Sequence, residues 1–284
     1  MTDRLVIKGT ILTYGEKFIV GEDVFSSILL SVINSWYYTK FDFSGKNKEN
    51  YSELELREYG KIKFALYGFT EDLHNLAINF SLLNLIKDDE KIGKIKADLY
   101  ISSILENLFT NIRIIYDFFY HFIKICLPDS QLRQYPSTDS LNKLLTFSEN
   151  PNNEGKLPES IIWYLRHVKN DLENIRQIRD SVIHKGKEIL LTRKSNKIFM
   201  RVPKSEKYSN DNLLPNIINS NEVDFDVEEY LSKIFKTTFT NMETLGVILY
   251  NEIHQNPGFT FNYYSISNYC IDEFNLFLLT KNFG

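Results

Sequence analysis

Residues 101–126 read ISSILENLFTNIRIIYDFFYHFIKIC. Ile101, Leu105, Leu108, Ile112, Ile115, Phe119, Phe122 and Cys126 step through this stretch by threes and fours. At about 100° per residue they fall on one stripe, the pattern of an amphipathic helix. Glu106, Arg113, Asp117 and Lys124 project to the other side, where the i, i+4 spacing of Arg113 and Asp117 suits a weak ion pair on a solvated face. Leu99–Leu127 is also the most apolar long stretch of the chain, yet it holds Glu106, Arg113, Asp117, His121 and Lys124, too many ionisable groups for a bilayer span. The helix stops at Pro128.

Helical recurrence appears on both sides of this segment. Upstream, Val24, Ile28, Val32 and Trp36 recur every four residues and predict a helix over 21–38, followed by a polar loop over 44–50. A second helix covers 66–86 and ends in the charged run 87–91. Downstream, a short amphipathic segment lies within 137–147 and a loop over 150–155. A long helix then starts near Pro158, carries Ile161, Leu165, Val168, Leu172, Ile175 and Val182 on one stripe, and ends at Gly186. The strand-like runs 188–193 and 197–202 flank Lys194-Ser195-Asn196 and predict a β-hairpin. Helical period returns over 224–254 through Tyr230, Ile234, Phe235, Phe239, Met242, Leu245 and Leu249, and Asn256-Pro257-Gly258 ends it. Weak alternation over 1–20 suggests another short hairpin. The aromatic tail from Phe259 either packs back onto the helices or adds a strand. The expected fold is mainly α: an N-terminal extension over 1–90, a helical bundle over 95–255 with a small β-hairpin, and a C-terminal tail over 256–284.

Composition narrows the class. The chain has 284 residues, 43% hydrophobic and 25% charged, which excludes a disordered or fibrous protein. A formal net charge of -4 excludes a polyanion-binding field over the whole surface, so any such site is local. Two cysteines, Cys126 and Cys270, make no disulfide framework and no zinc pattern, and no export signal follows Met1-Thr2-Asp3-Arg4. A cytoplasmic protein without membrane contact, metal or cofactor is expected. Gly-rich phosphate loops, HExxH and GxSxG are absent from the sequence.

One position breaks the pattern. With Ile161 at zero on the helical wheel, Arg179 falls at the centre of the apolar stripe. A guanidinium on that seam implies a carboxylate, a phosphate or a polar cleft facing it; the structural alternative is a pair with an acidic neighbour or an exit to solvent near the helix end. Asp180 and His184 are spaced i, i+4 at the same helix end, where the dipole favours a protonated imidazole. Beyond them, Lys185 to Lys207 holds eight basic residues (Lys185, Lys187, Arg193, Lys194, Lys197, Arg201, Lys204, Lys207) against Glu188 and Glu206, a net of about +6. Such a hairpin either grips a nucleic-acid backbone or carries lysines that keep its edge from aggregating. Tyr100, Tyr116, Tyr120 and Tyr164 are expected in the core or an interface rather than as base-stacking platforms.

Arg179-Asp180-Ser181-Val182-Ile183-His184 resembles the signature of the HEPN superfamily (higher eukaryotes and prokaryotes nucleotide-binding): Arg, a polar residue, three variable positions and His on one bundle helix. Arg179, Asp180 and His184 match all three motif positions, and the resemblance extends over roughly residues 95–255. It implies a metal-independent endoribonuclease acting as a homodimer, with RNA as substrate and an antitoxin or other regulatory partner. His184 would transfer protons, Arg179 would meet phosphate charge, and Asp180 would orient one of them. Lys185, Lys187, Arg193 and Lys194 would hold the RNA backbone. Arg179 and His184 lie about 140° apart on an ideal helix, so a wedge between two helix ends, rather than one face, would collect both. The family also includes non-catalytic nucleotide-binding and protein-interaction modules, and nothing in the resemblance covers the first 90 residues.

Overall fold

The computed structural model describes residues 28–40, 51–137, 140–181, 188–195, 197–204, 211–262, 274 and 277. The hairpin expected over 1–20, residues 21–27 of the first helix and the loop over 44–50 lie outside them. The described elements run α1 (Ile28–Lys40), α2 (Glu53–Asp88), α3 (Lys94–Phe122), a 3-10 turn (Ile123–Cys126), α4 (Asp129–Leu132), α5 (Leu141–Glu149), a 3-10 turn (Pro151–Asn153), α6 (Glu159–Arg179), β1 (Leu190–Lys194), β2 (Lys197–Arg201), β3 (Phe225–Asp226) and α7 (Val227–Ile253). The architecture is mainly helical with one small antiparallel sheet, ordered β1-β2-β3. Among the described residues no helix is long and apolar enough to cross a membrane.

α2 begins thirteen residues before the expected Leu66, and its start has a local cause. The Ser52 hydroxyl accepts from the Glu55 amide at 3.2 Å, while the Ser52 amide donates to Glu55 Oε2 at 2.7 Å. This capping box satisfies orphan donors at the helix entrance. α7 begins in the same way: Asp226 Oδ1 accepts from the amides of Glu228 and Glu229, at 3.0 and 3.2 Å.

The chain divides into two compact units, each assembled from segments distant in sequence. The first comprises residues 1–72, 114–169 and 239–269. In it Phe69 meets Phe118, Phe119 and Phe122 at centroid distances of 5.3–6.4 Å, and Trp36 packs edge-on against Tyr59. Tyr164 donates to the Asn241 carbonyl, and the Asn241 amide donates to the Tyr116 hydroxyl at 2.9 Å, so these three buried residues satisfy one another. Gly246 sits where an added Cβ would come within 2.4 Å of the Leu29 amide nitrogen, a backbone contact that cannot swing aside.

The second unit comprises 73–113, 170–238 and 270–284. Phe80, Phe235, Phe274 and Phe277 form its aromatic centre, with the Phe80 and Phe277 centroids 4.4 Å apart. The tail therefore packs onto helices at these two positions. Phe109, Phe225 and Tyr230 make a second aromatic cluster.

On α3 every stripe residue from Ile101 to Phe122 is buried. The opposite side is not the solvated face expected: Arg113 and Lys124 are buried as well. A wheel projects one helix and says nothing of what covers its other flank. Here Lys124 Nζ lies 2.7 Å from Glu58 Oε2 and over the rings of Tyr120 and Tyr135. Burial pushes the Glu58 carboxyl up, but hydrogen bonds from Lys124 and Lys61 outweigh it and hold the group down at about 2. Of the four tyrosines expected in the core or an interface, Tyr116, Tyr120 and Tyr164 are buried, and Tyr100 is 42% exposed beneath the Lys96 ammonium.

Two outcomes are expected. A carboxyl depressed in the folded state stabilises the fold above its unfolded pKa and loses that stabilisation as pH falls toward the folded value. Denaturant unfolding should therefore show a stability loss between about pH 4.5 and pH 2, reduced in Glu58→Gln/Lys124→Met, while Lys124→Met alone costs about 1–3 kcal/mol at pH 7, since Glu58 keeps only its exposed partners Lys61 and Arg57. Gly246→Ala should lower the thermal midpoint, because α7 and α1 must separate to admit the methyl group.

Candidate functional site at the end of α6

α6 buries Ile161, Ile162, Tyr164, Leu165, Val168, Leu172, Ile175 and Ile178. The seam position that the wheel assigns to Arg179 is taken by Ile178, which is fully buried, while the Arg179 side chain keeps 36% exposure. In the last turn the buried face follows Ile175 and Ile178, three residues apart, and Arg179 emerges at its edge.

Arg179 has a protein partner. Its Nη1 lies 3.6 Å from Asp180 Oδ1, and Asp180 Oδ2 takes Arg176 Nε at 3.3 Å. Asp180 thus bridges two guanidinium groups at the helix end, all three side chains reaching solvent. The backbone widens to π geometry at Asp180 and Ser181, a local irregularity often found at functional sites. Ser181 is buried and its hydroxyl donates to the Gln177 carbonyl at 2.7 Å. His184, Lys185 and Lys187, with Val182, Ile183 and Gly186, lie outside the described residues.

Segment 211–214 ties this helix end to the hairpin. Gln177 donates to the Leu213 carbonyl at 3.0 Å, the Leu213 amide donates to the Val202 carbonyl at 2.7 Å, and Asn212 Oδ1 accepts from the amides of Val202 and Leu214. β1 and β2 pair from Leu190↔Arg201 to Lys194↔Lys197, with Ser195 at a left-handed φ of 48° in the turn. β3 then adds to β2, placing Phe225 against Met200 and Asp226 against Phe199.

That third strand changes the electrostatics of the hairpin. Arg193 grips Asp98 at 2.8 Å, Lys197 meets Asp226 at 2.8 Å, Lys194 and Arg201 share Asp224 at 3.6 Å, and Lys204 stands 3.9 Å from Asp211. Every basic residue of the hairpin region that is described thus has an aspartate beside it. The local count of about +6 missed these carboxylates because they come from α3 and from sequence beyond residue 207. The Asp226 signal was legible as an N-cap ahead of Glu228 and Glu229; the Asp98 contact was not, since only folding brings residues 95 positions apart together. Lys194 and Lys197 nevertheless remain about two-thirds exposed. Among the described residues no three His, Cys, Asp or Glu side chains gather into a group that would hold a metal ion.

Exposed ion pairs contribute little to stability, so Arg179→Ala should change the unfolding free energy by no more than about 1 kcal/mol in urea titrations. Asn212→Ala, which leaves backbone amides without their acceptor, should cost about 1–3 kcal/mol in the same measurement.

Comparison of the chain with protein-family models, with curated proteins and with solved structures gave no match.

Proposed function

We propose that the chain is a HEPN-like, metal-independent endoribonuclease of the cytoplasm, acting as a homodimer whose two α6 ends enclose one cleft. The observation that carries this reading is a solvent-reachable guanidinium, Arg179, bridged by Asp180 at a helix end and five residues ahead of His184 in sequence. RNA cleavage without metal needs a base for the ribose 2′-OH, an acid for the 5′-oxygen and a cation for the charge on phosphorus. Imidazole is the side chain suited to both proton transfers near neutral pH, the role given to His184, and Arg179 offers a permanently charged fork to phosphate oxygens. Asp180 orients Arg179. Lys185, Lys187, Arg193 and Lys194 hold the backbone, the last two by exchanging an aspartate for a phosphate. By family analogy alone, such an enzyme serves as a toxin or defence effector held in check by an antitoxin or regulator.

The aspartates beside the hairpin favour a second reading, a non-catalytic module that docks a nucleotide or a protein. They neutralise the field that would draw a long polyanion to the hairpin.

The two readings separate in one assay. Purified protein incubated with RNA in EDTA should yield 2′,3′-cyclic phosphate and 5′-hydroxyl ends, and His184→Ala or Arg179→Ala should slow cleavage by at least about 100-fold. Cleavage that needs added metal, or that survives both substitutions, sinks the nuclease reading. Nucleotide-induced thermal stabilisation without RNA degradation supports the binding module.

A further inference from the structure

The first unit contains a cavity of about 480 Å³ with no role in the reading above. That volume lies within the span of small-molecule sites, roughly 300–1,000 Å³. Aromatic rings form part of its wall. Trp36 and Tyr59 meet edge-to-face at 5.0 Å, Tyr51 and Tyr59 at 5.5 Å, and Phe259 adds a ring from the segment after α7. Ring faces carry the negative part of the aromatic quadrupole and attract cations.

The helices that frame the cavity add to this bias. Thr39 and Lys40 end α1, and Ile253 ends α7, so both helices present their C-terminal, partially negative ends to the lining, whereas the positive N-terminus of α2, between Tyr51 and Glu55, is already met by its capping box. Two carboxylates complete it. Glu55 sits on the capping box, where it also receives the Tyr59 hydroxyl at 3.4 Å. Glu252 stands exposed at the edge and takes the Ser160 hydroxyl.

The cations in the lining oppose this bias only in part. Lys124 is already matched by Glu58 at 2.7 Å and lies over Tyr120 and Tyr135, and Lys40 is half-exposed at the helix terminus whose dipole it complements. Titration of the walls agrees. Burial and then Glu55 push the Tyr51 phenol up, and burial and then Glu252 push the Cys126 thiol up, so both groups sense negative neighbours.

We propose that this cavity binds a small organic ammonium ion, its charge facing the Trp36, Tyr51 and Tyr59 rings and Glu252. A carboxylate at the mouth attracts the ion and the rings hold its alkyl groups, whereas an anion would meet Glu55 and Glu252, with Lys124 already held by Glu58. The site is independent of Arg179 and His184.

The chain has two tryptophans, so Trp163→Phe leaves Trp36 as the sole emitter, inside the cavity wall. Titrating this full-length variant with choline should change Trp36 emission saturably. The neutral carbon isostere 3,3-dimethylbutan-1-ol should need at least about tenfold higher concentration, the 1.4 kcal/mol within the range of a cation–π contact. Glu252→Gln, an exposed change that leaves the core intact, should weaken choline several-fold, as should Tyr51→Leu. An equal response to the isostere, a response to inorganic phosphate instead, a choline response unchanged in both variants, or no saturable change overturns the proposal.

Discussion

The apolar stripe of α3 must be kept from water, and the rest of the packing answers to that constraint. Ile101, Leu105, Leu108, Ile112, Ile115, Phe119 and Phe122 are all buried to the last per cent of their surface. Each such side chain contributes roughly 1.5–3 kcal/mol when removed from solvent. Covering the stripe alone would leave the flank with Arg113, Tyr116, Tyr120 and Lys124 exposed, yet these are buried too. α3 is therefore enclosed on more than one side, and a charged residue on its second flank has to find a counter-charge within the protein. Glu58 supplies that charge to Lys124. A buried pair of this kind is weak evidence for net stability, but it makes each partner intolerant of losing the other.

The same logic, at lower stakes, governs the α6 end and the hairpin. There the charges remain near water, where a pair adds little and its members are free to exchange partners. Asp180 bridging Arg176 and Arg179, and Asp224 beside Lys194 and Arg201, are arrangements that an incoming phosphate can open at small cost. Lys124 cannot be recruited in this way without unfolding its surroundings. The cations at the end of α6 and on the hairpin thus stay accessible to a polyanionic ligand, as the buried Lys124 does not.

Much of this was written in local pattern. The stripes of α3, α6 and α7, the hairpin turn at Lys194-Ser195-Asn196 and the break at Asn256-Pro257-Gly258 are effects of neighbouring residues on one backbone, and periodicity reports them. The early start of α2 was legible too, in Ser52 and Glu55, but a capping box is a four-residue signal easily lost against a long polar approach. Arg179 illustrates the limit of a wheel. Ideal angles placed it on the seam, but packing in the last turn buries Ile178 and leaves Arg179 at the edge.

The sequence by itself determined the mainly helical class, the small antiparallel hairpin and the apolar stripes of α3 and α7, because hydrophobic period is a property of adjacent residues. Only the tertiary structure decided which charges are matched: Asp98 with Arg193, Asp224 with Lys194, Glu58 with Lys124. Coulomb pairing depends on distance in space, and residues 30 to 95 positions apart along the chain come within 4 Å only after the helices have packed.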